Sequence, residues 1–408
     1  PDGGLYVPAE LPTIPWRDVA RPATLGSVGR VLLRPFAAGD PLAQDVGAIV
    51  DDAYAPPAPL AATRDPRLQL LELFHGPTAA FKDFGARFLA ASLQRVLPTR
   101  PVTTILVATS GDTGSAVAAA FHRRPGFRVV VLYPEGMVSP RQAHQLESFG
   151  DNVVTLRVQG NFDACQALVK GAFQDRALRE EVPMTSANSI SLGRLLPQMV
   201  YHARAALSAA ADAGEPVGVV VPTGNLGNAL AAWLAGALGA PIRDIVLATN
   251  RNDVLVDWVT RGTFEARPAV PTLANAMDVG LPSNLERLRW FVDAGIQGPK
   301  LHALSVPDDR IRTRLAEAPD RFGHVVCPHT ACALEAFQHL PVCREGSWIA
   351  AATAHAAKFD EVVEPAIGAE VPLPGPLAEL LARPRVGQAM EATPEALAAV
   401  LRSRAGVA

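Results

Sequence analysis

Six short, nearly continuous apolar runs mark the chain: TILVATS (104–110), RVVVLYP (128–134), VVTLRVQ (153–159), VGVVVPTG (217–224), DIVLATN (244–250) and WIAAATA (348–354). Runs of this length without alternation read as strands buried on both faces, and helix signals lie between them, so the pattern predicts an α/β fold built on parallel sheets. The stretch SPRQAHQLESFG (139–150) shows the helix signals: a serine cap, proline at the first helical position and a closing glycine. The strands at 104–159 predict one compact α/β unit and those from 217 onward a second. The first 60 or so residues, ending in YAPPAPLAA (54–62), are rich in proline and glycine and read as an N-terminal appendage or linker. No repeat of fixed period, low-complexity tract or heptad pattern is present.

Composition narrows the classes. With 408 residues, 49% of them hydrophobic, the chain can bury a large core in two or three domains. A net charge of −3 without a basic block argues against a nucleic-acid partner, so any bound anion must be met by local geometry. Four irregularly spaced cysteines suit a reducing compartment, and the cytoplasm is the expected location. CPHTAC (327–332) lacks the second cluster a zinc site needs, and no metal is expected. No apolar run approaches the ~18 residues of a membrane span, so no membrane partner is expected. The chain opens on proline rather than methionine, and its natural start is expected upstream.

Of the 37 lysines and arginines only Lys82, Lys170, Lys300 and Lys358 are lysines, so arginine supplies 33. Where arginine serves for solvated charge, a lysine in LFHGPTAAFKDFG (73–85) is a candidate for its amine, which can be neutral and nucleophilic in an apolar setting. Strand, Gly-rich turn and helix follow one another at 219–238 around PTGNLGN, an arrangement that holds a phosphate or simply permits tight packing. ATSGDTGSA (108–116) repeats the design with hydroxyls at Ser110, Thr113 and Ser115. It suits a carboxylate, or a helix capped by Asp112 or Thr113. Asp112 would repel an anion and should face a cationic or proton-bearing group. SANSISLGRLLPQ (186–198) sets Asn188 and Ser189 before what reads as a long helix carrying Arg194 in its first turns, a set for a phosphate dianion or an ordinary cap. Thr353, His355 and Lys358 follow the last run; each alone is more often structural, but Thr353 ends a strand where open sheets bind ligands. An amine, a phosphate loop and further anion sites together fit pyridoxal 5'-phosphate.

These segments, with DGGLYVP (2–8), LYPEGMVSP (132–140), GNFDACQALVK (160–170), ATNRNDVL (248–255), AMDVGLPSNLERL (276–288), PHTA (328–331) and ATAHAAKF (352–359), resemble the threonine synthase family of fold type II pyridoxal-phosphate enzymes, in the family's order and over nearly the whole chain. The resemblance implies an N-terminal appendage (1–60), a large cofactor-binding domain (61–101 with 187–408) and a smaller, mobile α/β domain (102–186). It implies that Lys82 carries the cofactor as a Schiff base and is the catalytic residue. Gly224, Asn225, Leu226, Gly227 and Asn228 would hold the cofactor phosphate, with Asp112 near its phenolic oxygen and Thr353 facing its pyridine nitrogen. Ser110, Thr113 and Gly114 would bind the substrate carboxylate, and Asn188, Ser189 and Arg194 its phosphate. Leu226 stands where the family has Phe, Asn228 where Asp is common and Ala356 where Pro is usual, which leaves room for a paralogue with an altered substrate.

The function so implied is a carbon–oxygen lyase converting O-phospho-L-homoserine and water to L-threonine and phosphate, working as a monomer or homodimer. The alternatives are a lyase or dehydratase of the same fold that yields a 2-keto acid, and a non-catalytic cofactor-binding protein.

Overall fold

The computed structural model of the chain describes residues 4–109 and 111–403. Among them the strands are β1 (Leu60–Ala62), β2 (Leu68–Glu72), β3 (Thr103–Ala108), β4 (Phe127–Pro134), β5 (Val153–Gln159), β6 (Met184–Ser186), β7 (Val217–Pro222), β8 (Ile242–Thr249), β9 (Lys300–Ser305), β10 (Trp348–Ala352) and β11 (Gln388–Glu391). They form a six-stranded sheet in the order β1-β2-β10-β7-β8-β9 and a five-stranded sheet in the order β11-β5-β4-β3-β6. The described pairings are parallel apart from the β1–β2 hairpin.

The six runs expected to be strands are strands, each within two residues of its expected bounds. Of the five that were not foreseen, β1, β9, β11 and β6 are the sheet edges. An edge strand buries one side less completely than an interior strand, so it lacks the unbroken apolar run: KLHALS in β9 is exposed at Lys300 and buried only at Ala303.

The chain divides into two compact units, one of Pro1–His75 with Leu195–Pro372 and the other of Gly76–Arg194 with Leu373–Ala408. The expected boundaries lie at 102 and 186, with the C-terminal stretch in the larger domain. Two contacts account for the difference. The helix Lys82–Val96 packs on the helix Asp112–Phe121, and β11 pairs with β5, which ties the C-terminal stretch to the second unit. In that unit, buried residues from both faces of the sheet make two cores, one around Ile105, Val129 and Phe121 and one around Leu106, Val130 and Leu156.

The N-terminal stretch is more than a wrapping linker. It contains the helices Leu25–Leu33 and Val46–Ala53, the first opened by a reciprocal Thr24–Ser27 capping box, and Val28, Leu32, Ile49 and Val50 are essentially inaccessible. Tyr54 Oη donates to the Pro197 carbonyl at 2.6 Å, anchoring this stretch beside the helix Gln198–Ala213.

One expected helix is broken. Instead of a long helix past Ser189, a short one (Leu192–Leu195) stops before Pro197 and a second begins at Gln198. Proline disfavours the α conformation in the residue before it and contributes no N–H, so the break falls at Leu196–Pro197. Among the described residues no helix is long and apolar enough to cross a membrane.

Candidate active site

In the six-stranded sheet β10 lies between β2 and β7, while β8 and β9 continue on the other side of β7. The connections leaving β7 and β10 therefore diverge at a switch in strand order, where parallel sheets leave a crevice at the strands' carboxyl ends. Register pairs Ala350 with Val220, so the two strands end level, with Thr223 after β7 and Thr353 after β10. Both threonines are buried.

The turn after β7 is shaped by close approach. A Cβ on Gly224 would stand 2.7–3.0 Å from backbone atoms of Met277, closer than any side chain tolerates. Asn225 Oδ1 accepts from the Ser283 amide (2.6 Å), and the Asn225 carbonyl accepts from Asn284 Nδ2 (3.0 Å). Leu226 adopts the left-handed conformation (φ 63°), unusual for a branched residue and held here by complete burial of its side chain. Among the described residues no side chain caps the helix Gly227–Ala237 that follows, so its first-turn N–H groups point outward at the positive end of an eleven-residue dipole, a ready anion site. The side-chain oxygen of Asn228 turns the other way, into the unit, toward Tyr201 and His202. Beyond Thr353, His355 Nδ1 accepts from the Ala357 amide and its ring packs edge-on against Phe74 at 5.3 Å. Burial, reinforced by nearby His75, depresses its pKa.

The five-stranded sheet has its own switch, because β6 lies on the side of β3 away from β4, β5 and β11. Register pairs Leu106 with Ser186, which sets the turn after β3 beside the turn after β6. The first turn is organised by Thr109, whose hydroxyl accepts from the amides of Gly111 (3.0 Å) and Gly114 (2.9 Å) and donates to the Gly111 carbonyl. Ser110 lies outside the described residues. Asp112 is buried at the helix start, and its Oδ1 accepts from Gln142 Nε2 at 3.1 Å. Thr113 is half-buried. In the second turn Asn188 donates its amide to Ser186 Oγ, and Asn188 and Ser189 remain half-buried. Arg194 is 2% exposed, with Nη1 donating to the Ala187 carbonyl at 2.7 Å. Burial lowers its pKa to about 10, opposed by the charge of Asp83, so it remains a cation at neutral pH.

Lys82 heads the helix Lys82–Val96 in this same unit, its Nζ 5.3 Å from the centroid of Phe81, while Phe84 is fully buried. The adjoining Asp83 is engaged by Thr78, which donates both its amide (2.9 Å) and its hydroxyl (2.7 Å). The helix approaches the Arg194 segment so closely that a Cβ on Gly85 would stand 2.7 Å from the Arg194 carbonyl oxygen. The second unit thus contains Lys82, Asp112, Thr113, Gly114, Asn188, Ser189 and Arg194, and the first unit Gly224–Asn228 and Thr353. The cysteines of 327–332 serve within a helix: Cys327 caps Pro328–His339 and Cys332 Sγ donates to the Pro328 carbonyl. Sequence reasoning missed the supports, namely Thr78, Thr109, Gln142, Met277, Asn284 and His202. For the first five the only signal was membership of the quoted segments, and His202 lay outside them, since a support is recognised by what it touches.

A family model described as pyridoxal-phosphate dependent enzyme matches residues 62–348, and one described as threonine synthase, C-terminal, matches 330–401. The chain is similar to the threonine synthases of Serratia marcescens (39% identical over 379 residues, 92% of this chain and 87% of that protein) and Escherichia coli K12 (39% over 380 residues, 92% and 88%). Among solved structures it is similar to threonine synthase from Escherichia coli (TM-score 0.88, 36% identity, 98% of this chain and 93% of that one). It is likewise similar to pyridoxal-phosphate-bound threonine synthase from Brucella melitensis (0.90, 33%, 99% and 94%).

Proposed function

The chain belongs to the threonine synthases among the pyridoxal-phosphate-dependent enzymes, and from that premise we propose that it converts O-phospho-L-homoserine and water into L-threonine and phosphate. Pyridoxal phosphate is its cofactor, and the residues present fit that group. The Gly224 cradle and the uncapped helix start match a phosphate, and Lys82 supplies the amine. When bound, the cofactor supplies an aldehyde for an amine and a ring that takes up the electrons released at Cα.

The observation that carries the choice of substrate is the adjacency of two anion-suited turns, after β3 and after β6, in the unit that also bears Lys82. An amino acid carrying a phosphate presents two such anions; serine or threonine presents one. Thr113 and Gly114, with Ser110, hold the carboxylate. Asn188, Ser189 and Arg194 hold the phosphate and meet the charge it carries away, where a buried guanidinium is most effective. Lys82 would hold the cofactor through its amine, and the same amine, when free, would take the proton from Cα. Asp112 is assigned to the cofactor's phenolic oxygen. Thr353 would face its pyridine nitrogen, where a hydroxyl does not enforce ring protonation. Gly224 to Asn228 hold its phosphate.

Every residue used lies on this one chain, so a monomer or a homodimer serves equally. The four free, buried thiols suit a reducing compartment, and we place the enzyme in the cytoplasm. Incubation with O-phosphohomoserine, following phosphate and amino acid together, tests the reading: equimolar threonine and phosphate are expected. Phosphate with 2-ketobutyrate and no threonine would overturn it in favour of a lyase.

A further inference from the structure

Behind the phosphate loop of the first unit lies a buried polar group of which only Asn228 has an assigned role. Tyr201 and His202, on the helix Gln198–Ala213, meet Asn228, in the first turn of the helix Gly227–Ala237. Their exposures are 0%, 1% and 4%. His202 Nε2 lies 2.5 Å from Asn228 Oδ1, and the Tyr201 hydroxyl lies 3.2 Å from the same oxygen and 3.1 Å from Gln198 Oε1. Among the described residues Asn228 Nδ2 and His202 Nδ1 have no hydrogen-bond partner, although both are buried.

A carboxamide has an accepting end and a donating end. With His202 on Oδ1, the orientation of the Asn228 amide is set and its two Nδ2 hydrogens are left without an acceptor. An unpaired buried donor is costly, and the cost is recovered when an acceptor arrives. Asn228 stands two residues past Leu226, among the uncapped amides of the loop, where that acceptor is a phosphate. We infer that Asn228 donates through Nδ2 to the cofactor phosphate, and that His202 is a positioning residue which selects this orientation by donating from Nε2. The inference rests on the assignment of 224–228 to the cofactor phosphate. The imidazole must be neutral and protonated on Nε2, since a proton on Nδ1 would be a second unpaired donor. Burial agrees, lowering the His202 pKa to about 4 against smaller opposing contributions from Asn228. A carboxylate at 228 would accept from His202 equally well but could donate nothing to the phosphate.

The test pairs His202→Leu with His202→Gln, whose amide N–H can reach the same oxygen. Titration of apoenzyme with pyridoxal phosphate should show affinity falling about 10- to 100-fold in His202→Leu, the range for a hydrogen bond to a charged group, and largely recovering in His202→Gln. The ³¹P resonance of bound cofactor should shift in the first variant and return in the second. A purely structural role would lower thermal stability without moving that resonance. In the parent enzyme ¹⁵N spectra should show His202 protonated on Nε2 and bare on Nδ1. Asn228→Asp should weaken cofactor binding and convert that signal to imidazolium. These two measurements decide the matter even where His202→Leu does not fold. Unchanged affinity and ³¹P shift in folded His202→Leu, or an imidazolium in the parent, would overturn the inference. Gly224→Val separates it from its premise. If that variant keeps full cofactor affinity, the loop assignment itself falls. If it loses affinity while His202→Leu does not, only the role of His202 falls.

Discussion

The two sheets each present a switch in strand order, but they furnish it differently. At the switch of the first unit, after β7 and β10, the assigned groups are backbone amides, two asparagines and a threonine, none with a formal charge, and the shape is set by a glycine against Met277 and a left-handed Leu226. At the switch of the second unit, after β3 and β6, stand the ionisable groups Asp112 and Arg194, with Lys82 and Asp83 on the helix Lys82–Val96 of the same unit. Three of these are tied to a neutral partner: Thr78 on Asp83, the Gln142 amide on Asp112 and the Ala187 carbonyl on Arg194. A resident cofactor can be held by fixed geometry that needs no rearrangement. A substrate that must enter, lose a phosphate and leave is better met by buried charge held in place by hydrogen bonds.

The widest gap between the units should appear on replacing their central elements. Lys82→Arg should abolish turnover, because a guanidinium cannot form or exchange the bond to the cofactor, while the fold stays intact. Steady-state turnover above trace level in the purified variant would remove Lys82 from its role. Gly224→Val should act by shape alone. A Cβ pressed on the Met277 backbone forces the loop apart, and overpacking of about 1–3 kcal/mol translates into roughly 10- to 100-fold weaker cofactor binding. Equilibrium titration of apoenzyme measures it, with kcat at saturating cofactor much less affected.

Arg194→Leu should show the opposite profile. Loss of a charge-assisted hydrogen bond to a dianion should lower kcat/KM for O-phosphohomoserine by about 1.5–3 kcal/mol in transition-state terms and leave cofactor affinity nearly unchanged. A large loss of cofactor affinity with unchanged kcat/KM would mean that the two phosphate sites had been exchanged. Because Arg194 also satisfies the Ala187 carbonyl inside the unit, some loss of thermal stability should accompany it.

Where burial is complete the chain could be read directly: β4, buried at every position, lies within one residue of its expected bounds. Ser139 caps the helix Pro140–Glu147 as its Ser-Pro signature implies. The edge strands escaped notice because an edge buries less and its pattern weakens. The Gly- and hydroxyl-rich turns after β3 and β7 could be placed at strand ends, because their glycines follow directly on apolar runs. Thr78, Gln142 and Met277 were not, because nothing in their local sequence says that Asp83, Asp112 and Gly224 stand beside them; only the tertiary contacts do. The boundary between units escaped for the same reason, as it depends on β11 crossing back to β5.

The smallest expected effect concerns one such support. Gln142 is 1% exposed and uses both ends of its amide: Oε1 accepts from the Ser139 amide in a capping box, and Nε2 donates to Asp112 Oδ1. Gln142→Leu removes both bonds and should cost about 1–2 kcal/mol of stability, seen as a lower Tm in apoenzyme. Gln142→Glu separates the two roles. A carboxylate still accepts from Ser139, so the cap survives, but it stands against Asp112 as a like charge, and two adjacent carboxylates retain a shared proton to higher pH than either alone. That raised folded-state pKa has a definite sign: relative to the parent, the variant gains stability as pH falls through it and loses stability as pH rises beyond it. If an ionised Asp112 is what the cofactor's phenolic oxygen requires, the acid limb of the kcat/KM profile should move upward in Gln142→Glu by the same titration. An unchanged acid limb beside an unchanged Tm would show that Asp112 is held by something other than Gln142. The second unit would then rely on a more redundant set of supports than the contrast with the first unit requires.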